Sequence, residues 1–228
     1  MNYFLDGFKQ GVMLLYPPRS DIWSIIFLSL AVSASATAIA GLFGIPLGVF
    51  LSVAEFRLKR VVIALLNTAL AVPAVLIGLM VYILINRRGL LGVLGLLFTP
   101  WAMILAQALL AFPIITALSL SALKGVAKDT QDLAYSLGAT RFQMARALIR
   151  QGKFAFLTAI ISGFSRVIGE TGMSLMVGGN IKGETRVMTT AISLETMKGN
   201  FEFGIALGIV LLLVALIVNV FLQVTQGK

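Results

Sequence analysis

The chain has 228 residues, of which 59% are hydrophobic and 12% charged, and its mean hydropathy is +0.99. A soluble domain carries about 25% charged and about 45–50% apolar residues, so a water-soluble enzyme is excluded. With 0 Cys and 0 His, disulfides, thiol nucleophiles, imidazole bases and Cys/His metal sites are excluded as well. The 18 basic residues against 9 acidic ones belong, in a membrane protein, mainly in cytoplasmic loops and do not argue for nucleic acid.

Residues 1–21 hold Asp6, Lys9, Arg19 and Asp21, which is not the pattern of a secretory signal. They are expected to form a short extracytoplasmic segment whose Tyr3, Phe4, Phe8 and Tyr16 suit a membrane interface. Charge-free runs follow at Ile22–Ala54, Val61–Asn86, Gly89–Leu123 and Phe203–Gly227, with a further apolar stretch, Phe154–Ile181, interrupted by Arg166 and Glu170. A span needs about 20 apolar residues, so helices are predicted near 22–54, 61–85, 100–123, 154–179 and 204–224. The fold class is therefore all-α, with about five transmembrane helices. Continuous apolar runs without period-2 alternation exclude a β-barrel.

The first run is longer than one perpendicular crossing needs, and Gly44-Ile45-Pro46 is where it should break. Pro73 and Pro113 should kink the second and third helices. Gly44-x-x-x-Gly48 and Gly204-x-x-x-Gly208 have the spacing of close helix contacts. Trp23 and Trp101 open helices, as aromatics at membrane boundaries do.

One side of the membrane receives Arg57, Lys59, Arg60, Lys124, Lys128, Arg141, Arg146, Arg150, Lys153 and Lys228. The other receives Lys9, Arg19, Arg87, Arg88, Lys182, Arg186 and Lys198. The excess on the first side places the 124–153 loop in the cytoplasm, the N-terminus outside and the C-terminus inside. That loop reads as two short helices around Gly138. Ala127, Leu133, Ala134 and Leu137 form an apolar stripe before it, and Phe142, Ala145 and Leu148 form one after it. Such a hairpin could rest on lipid or dock into another protein.

Within this loop, Asp132-Leu133-Ala134-Tyr135-Ser136-Leu137-Gly138-Ala139-Thr140 resembles the Glu-Ala-Ala, three residues, Gly-Ala pattern of ABC importer permeases. Asp132 stands where that family usually has Glu, Leu133 replaces the first Ala, and Arg150-Gln151 occupy the region of its Leu-Pro. The runs Gly178-Gly179-Asn180-Ile181-Lys182-Gly183 and Thr185-Arg186-Val187-Met188-Thr189-Thr190-Ala191-Ile192 look like the permease subunit of tungstate ABC importers, with molybdate and sulfate permeases as looser relatives. The resemblance spans residues 22–224. It implies a permease domain over 22–228 in the prokaryotic inner membrane, whose coupling loop (124–153) engages an ATP-hydrolysing subunit through Asp132, Leu133, Ala134, Leu137, Gly138, Ala139 and Thr140. It further implies a homodimer with the path at its two-fold interface, two ATPase subunits holding ATP and Mg, and an extracytoplasmic binding protein that delivers a tetrahedral oxyanion. No cofactor of its own is expected for the chain. It lacks a Gly-x-x-x-x-Gly-Lys-Ser/Thr sequence, so it has no phosphate-cradling loop.

Arg166 and Glu170 are four residues apart and can pair on one helix face. The pair is either a structural bond pinning the fourth helix, or an anion-path arginine restrained by a carboxylate. A path that must release its cargo favours few charges and many hydroxyls and amides, such as Ser162, Ser165, Thr171, Ser174 and Asn180. Val187, Met188, Ala191, Leu194 and Met197 have helical spacing and predict a short helix within 184–198, resting on lipid or serving as an outer gate or as a seat for a substrate-delivery protein. The candidate path or gate residues are thus Arg166, Glu170, Ser174, Asn180, Thr185, Arg186, Thr189 and Thr190. Two other classes compete: an ion-coupled secondary transporter, which would show internal repeats, and an intramembrane enzyme, for which Arg166/Glu170 is the sole acid–base candidate.

Overall fold

The computed structural model describes residues 9, 13, 20–136 and 138–226; the side chains of residues 20, 124–135, 141, 145, 222, 225 and 226 are outside that description. The expected extracytoplasmic segment 1–21 therefore lies almost wholly outside the described residues. The described chain is helical, in the order α1 (Ser20–Val53), α2 (Lys59–Leu70), α3 (Ala74–Ile85), a 3₁₀ turn (Gly92–Leu94), α4 (Pro100–Ser136), α5 (Arg141–Gln151), α6 (Lys153–Ile168), α7 (Gly172–Gly178), α8 (Met188–Met197) and α9 (Phe201–Gln226). Three helices, α1, α4 and α9, are long and apolar enough to cross a membrane. Two bent pairs, α2–α3 at 101° and α6–α7 at 70°, bring the spans to five if each pair counts as one.

The core is the contact between α1 and α4. Small side chains let these backbones approach: Ala36 and Ala40 of α1 and Ala102, Ala106 and Ala111 of α4 are all buried in one cluster. Gly44 and Gly48 continue this seam. A Cβ on Gly48 would lie 2.7 Å from the Ser119 Cβ and 2.9 Å from the Thr116 carbonyl oxygen. In lipid, where apolar area alone does not drive helices together, close approach of this kind supplies the van der Waals contact that does. Three buried hydroxyls on the same helices satisfy themselves locally: Ser29 donates to Ile25 O (2.6 Å), Thr37 to Ser33 O (2.7 Å) and Thr116 to Phe112 O (2.7 Å); the buried Ser119 hydroxyl finds no partner among the described residues.

Three expectations are corrected. First, α1 runs unbroken through Pro46; Gly44 is a contact point with α4 and not a hinge, since its Cβ position lies 3.0 Å from the Thr116 hydroxyl. Second, Pro73 does more than kink its helix. It stands as the N-cap of α3 at φ −60° and ψ 132°, because a proline has no amide to continue α2 and disfavours helical geometry in the residue before it. Third, α4 carries on to Ser136, so the first half of the loop hairpin is the end of a membrane helix and not a separate short one.

Candidate functional site

The predicted fourth helix is two helices. After Ile168 the chain turns through Gly169, Glu170 and Thr171 and re-enters as α7. Nothing lies within 4 Å of the Gly169 Cβ position, whereas Gly78 of α3 and Met103 of α4 crowd α7: a Cβ on Gly78 would meet the Met173 backbone at 3.0 Å, and one on Gly178 would meet the Met103 sulfur at 2.8 Å. The bend thus follows from where α7 can pack. Breaking the helix frees a carbonyl, and Glu170 O accepts hydrogen bonds from the hydroxyls of Ser174 (2.9 Å) and Thr189 (3.2 Å). The Glu170 carboxylate pairs with Arg166. The pair survives the break because Arg166 sits in the last turn of α6 and Glu170 one residue beyond its C-cap. The Glu170 side chain is 14% exposed and that of Arg166 45%, so the pair runs from a largely buried carboxylate to a half-exposed arginine.

The segment following α7 is tied by side-chain hydrogen bonds. Gly179 (φ 71°) and Asn180 (φ 54°) take successive left-handed conformations, which an asparagine tolerates better than most residues. The buried Thr185 hydroxyl donates to Gly178 O and accepts from Ile181 N (3.0 Å). Arg186 clamps Asn180 by donating from Nε to its Oδ1 (3.2 Å) and from Nη2 to its carbonyl (3.3 Å). Asn180 Nδ2 reaches Thr190 O (3.4 Å). The Thr190 hydroxyl exchanges two bonds with Val187, accepting from its N–H (3.1 Å) and donating to its carbonyl (3.0 Å), and this caps α8. Ser29 accepts from Met188 N (2.8 Å), which fixes α8 to α1.

The eight candidate residues therefore form one connected region, in two parts. Arg166, Glu170, Ser174 and Thr189 meet at the bend, while Asn180, Thr185, Arg186 and Thr190 build the adjoining knot, and the neighbouring residues Thr189 and Thr190 join them. The hydroxyls of Thr185 and Thr190 are spent within the knot, so these two act as framework.

Beside the knot opens a polar cleft of about 350 Å³ whose lining includes Asp21, Lys182, Arg186, Glu195, Lys198 and Asn200. Its cations are partnered: Lys182 lies 3.7 Å from Asp21, Lys198 lies 2.9 Å from Glu195 and Arg186 is held on Asn180. The Lys198 hydrogen bond, followed by that of Asn200, holds the Glu195 carboxyl below its ordinary range.

At the opposite loop, Gly138 has φ 69° and open space around its Cβ position. Thr140 caps α5, accepting from Gln143 N (3.3 Å) while Gln143 Oε1 accepts from Thr140 N (2.8 Å). Leu137 and the side chains of Asp132, Leu133 and Ala134 lie outside the described residues. The expected stripe after Gly138 divides: Leu148 is buried with Met144, while Phe142 is 79% exposed, because residues six apart on a helix project about 120° from each other.

Residues 44–227 match the family model of the inner membrane component of binding-protein-dependent transport systems. The chain belongs to this family. Among curated relatives of this permease, the tungstate uptake system permease protein TupB of Peptoclostridium acidaminophilum is 42% identical over 228 residues, covering 100% of both chains. TupB of Campylobacter jejuni is 41% identical over 96% of this chain and 92% of its own. The molybdenum transport system permease protein ModB of Escherichia coli is more distant, at 29% over 91% of this chain and 94% of its own.

Several residues that hold the permease site together escaped sequence reasoning. Ser29 stands 159 residues from the Met188 amide that it accepts from, and nothing local marks it. Phe98, a non-glycine residue at φ 61° whose amide caps Val177 O (3.0 Å) at the end of α7, is equally silent in sequence. The α5 cap was legible: Thr140-x-x-Gln143 is a capping-box pattern.

Proposed function

We propose that this permease conducts a tetrahedral divalent oxyanion, tungstate first among them, with energy supplied by separate ATP-hydrolysing subunits. The observation that carries the path is Arg166. A charge facing hydrocarbon costs about 3 kcal/mol on insertion scales, yet the Arg166 side chain, although paired with Glu170, is 45% exposed beside an otherwise apolar bundle. Its exposed neighbours Ser165 and Gly169 add polarity to that face. Such a face is stable against a second copy of the chain across a water-filled path, which favours the homodimer. Glu170 tempers the positive potential so that the anion is attracted without being trapped, and the Thr189–Glu170 bond links this bend to α8, the proposed outer gate.

The remaining assignments belong to the same reading. The permease domain spans 22–228, with 1–21 and the knot outside and the 124–153 loop and C-terminus in the cytoplasm. Asp132, Leu133, Ala134, Leu137, Gly138, Ala139 and Thr140 contact the ATPase, which holds ATP and Mg, and an extracytoplasmic binding protein delivers the anion. Identity of 41–42% to tungstate permeases against 29% to a molybdenum permease ranks tungstate above molybdate. Sulfate stands behind both, the curated sulfate permease CysT of Synechocystis being 24% identical. Vesicles holding the complete complex with Arg166→Gln should bind the ATPase normally but accumulate oxyanion at least about tenfold more slowly, the scale of one lost charge-assisted contact. Wild-type uptake by that variant would remove Arg166 from the path.

A further inference from the structure

α5 lies against the end of α1 through Met144 and Leu148, which are buried with Val49, Leu123 and Phe156. Its flank is left open. A groove of about 430 Å³ runs between Pro46, Val49, Phe50 and Val53 of α1 and Phe142 and Ile149 of α5. The α1 wall belongs to the span Asp21–Val53, so the groove reaches membrane depth, and its side chains are apolar. At 100° per residue, Phe142 and Ile149 project within about 20° of each other, with Arg146 about 40–60° further round the helix and Arg150 about 40° beyond that, away from the buried face.

The charged side chains that α5 exposes beside this groove are cations, Arg146 and Arg150, and the nearest carboxylates in sequence, Asp129 and Asp132, lie outside the described side chains. No Asp or Glu occurs between residues 133 and 169 or between 56 and 128. Glu55, next to the α1 wall, is taken by Lys59 at 2.8 Å. Among the described residues no carboxylate pairs with Arg146 or Arg150. An apolar slot at membrane depth, beside two exposed arginines on the helix that forms its wall, matches a phospholipid in both halves: acyl chain below, phosphate above. A soluble protein surface matches only the rim, because it cannot follow α1 into the hydrocarbon.

We propose that this groove is a binding site for an anionic phospholipid, whose acyl chain packs on Phe50, Phe142 and Ile149 and whose phosphate is held by Arg146 and Arg150. The leaflet is the cytoplasmic one, which rests on the orientation proposed above; the site itself does not. Because the lipid touches α5 next to the Gly138 loop, it would brace the helix through which the ATPase is proposed to act.

The test uses the purified permease with its ATPase, titrated with dioleoyl-phosphatidylglycerol, dioleoyl-phosphatidylcholine or inorganic phosphate, and read by native mass spectrometry. Each surface Arg contributes about fivefold to the affinity for an anionic lipid. Phosphatidylglycerol should therefore bind at least about tenfold more tightly than phosphatidylcholine. Arg146→Gln with Arg150→Gln should abolish that preference, and Phe142→Ser should weaken both lipids. Equal binding of the two lipids, or an unchanged preference in the double variant, overturns the site. Inorganic phosphate competing as well as phosphatidylglycerol would assign the arginines to a free anion and overturn it too. ATPase loss from the double variant with lipid adducts unchanged would give the rim to the ATPase, again overturning it. None of these readings depends on uptake, so failure here is separable from failure of the proposed function.

Discussion

Replacing Gly48 by Ala tests whether the α1–α4 seam is the contact that holds the bundle. The new Cβ would sit 2.7 Å from the Ser119 Cβ and 2.9 Å from the Thr116 carbonyl oxygen, where ordinary contacts begin at 3.4 Å. Both neighbours belong to the rigid part of α4, so the helices must separate by about 0.7 Å along a seam that otherwise packs on alanines. Overpacking of this kind costs about 1–3 kcal/mol. It is opposed by about 1 kcal/mol from the better helix propensity of Ala over Gly. Gly208→Ala, in the other glycine pair, gains the same propensity term but meets nothing within 4 Å. The difference between the two variants isolates the contact at about 1–3 kcal/mol. For a chain of this size that is a separation of about 2–12 °C in midpoint, measured by thermal unfolding of the purified permease in detergent. Ser119→Gly in the Gly48→Ala background should recover part of the loss, because it removes the most crowded of the three atoms that lie within 3.1 Å of the new Cβ. Midpoints for Gly48→Ala and Gly208→Ala within 1 °C of each other would refute the seam as the close contact.

Two further outcomes follow from the site. Thr185→Val keeps the side-chain shape but strands the Gly178 carbonyl and the Ile181 amide, both satisfied by that hydroxyl; at about 1–3 kcal/mol for each unsatisfied buried group, it should lower the unfolding midpoint well beyond Thr68→Val, whose hydroxyl only donates to Ala64 O on an exposed face. Gly138→Arg should insert into the membrane normally yet lose its ATPase on co-purification, since Gly138 is exposed with open space around it, while Gly138→Ala, which bears the same positive-φ strain of about 1–2 kcal/mol, should retain the partner.

What was legible in the sequence was what lipid demands. Uninterrupted apolar runs located α1, α4 and α9, and the periodicity of Val187 to Met197 located α8, because a bilayer tolerates little else. Prolines were legible only as possibilities: Pro73 ends one helix and begins another, whereas Pro46 and Pro113 lie inside continuous ones. Past Pro46, α1 stays packed along α4, with Gly48 against Ser119. Of the two glycine pairs, which look alike in sequence, Gly44 and Gly48 are both pressed against α4, whereas Gly204 makes only ordinary contact with α8 and Gly208 meets nothing within 4 Å. The Arg166–Glu170 pairing was readable from spacing, yet the bend between them was not, for it depends on Gly78 and Met103 receiving α7 from other helices. The knot was hidden for a different reason, since its bonds are local. Thr185, Arg186 and Asn180 were visible as polar residues in the right place, but their pairing within seven residues of one another depends on the left-handed turn at Gly179 and Asn180, which no periodicity announces.

The most direct measurement is ATP-driven accumulation of tungsten, molybdenum and sulfate by sealed vesicles containing this permease with its ATPase and binding protein. Accumulation of tungsten that requires ATP, and exceeds that of molybdenum and sulfate, is the predicted result. An intact complex that hydrolyses ATP but accumulates none of the three would contradict the assignment of an oxyanion path.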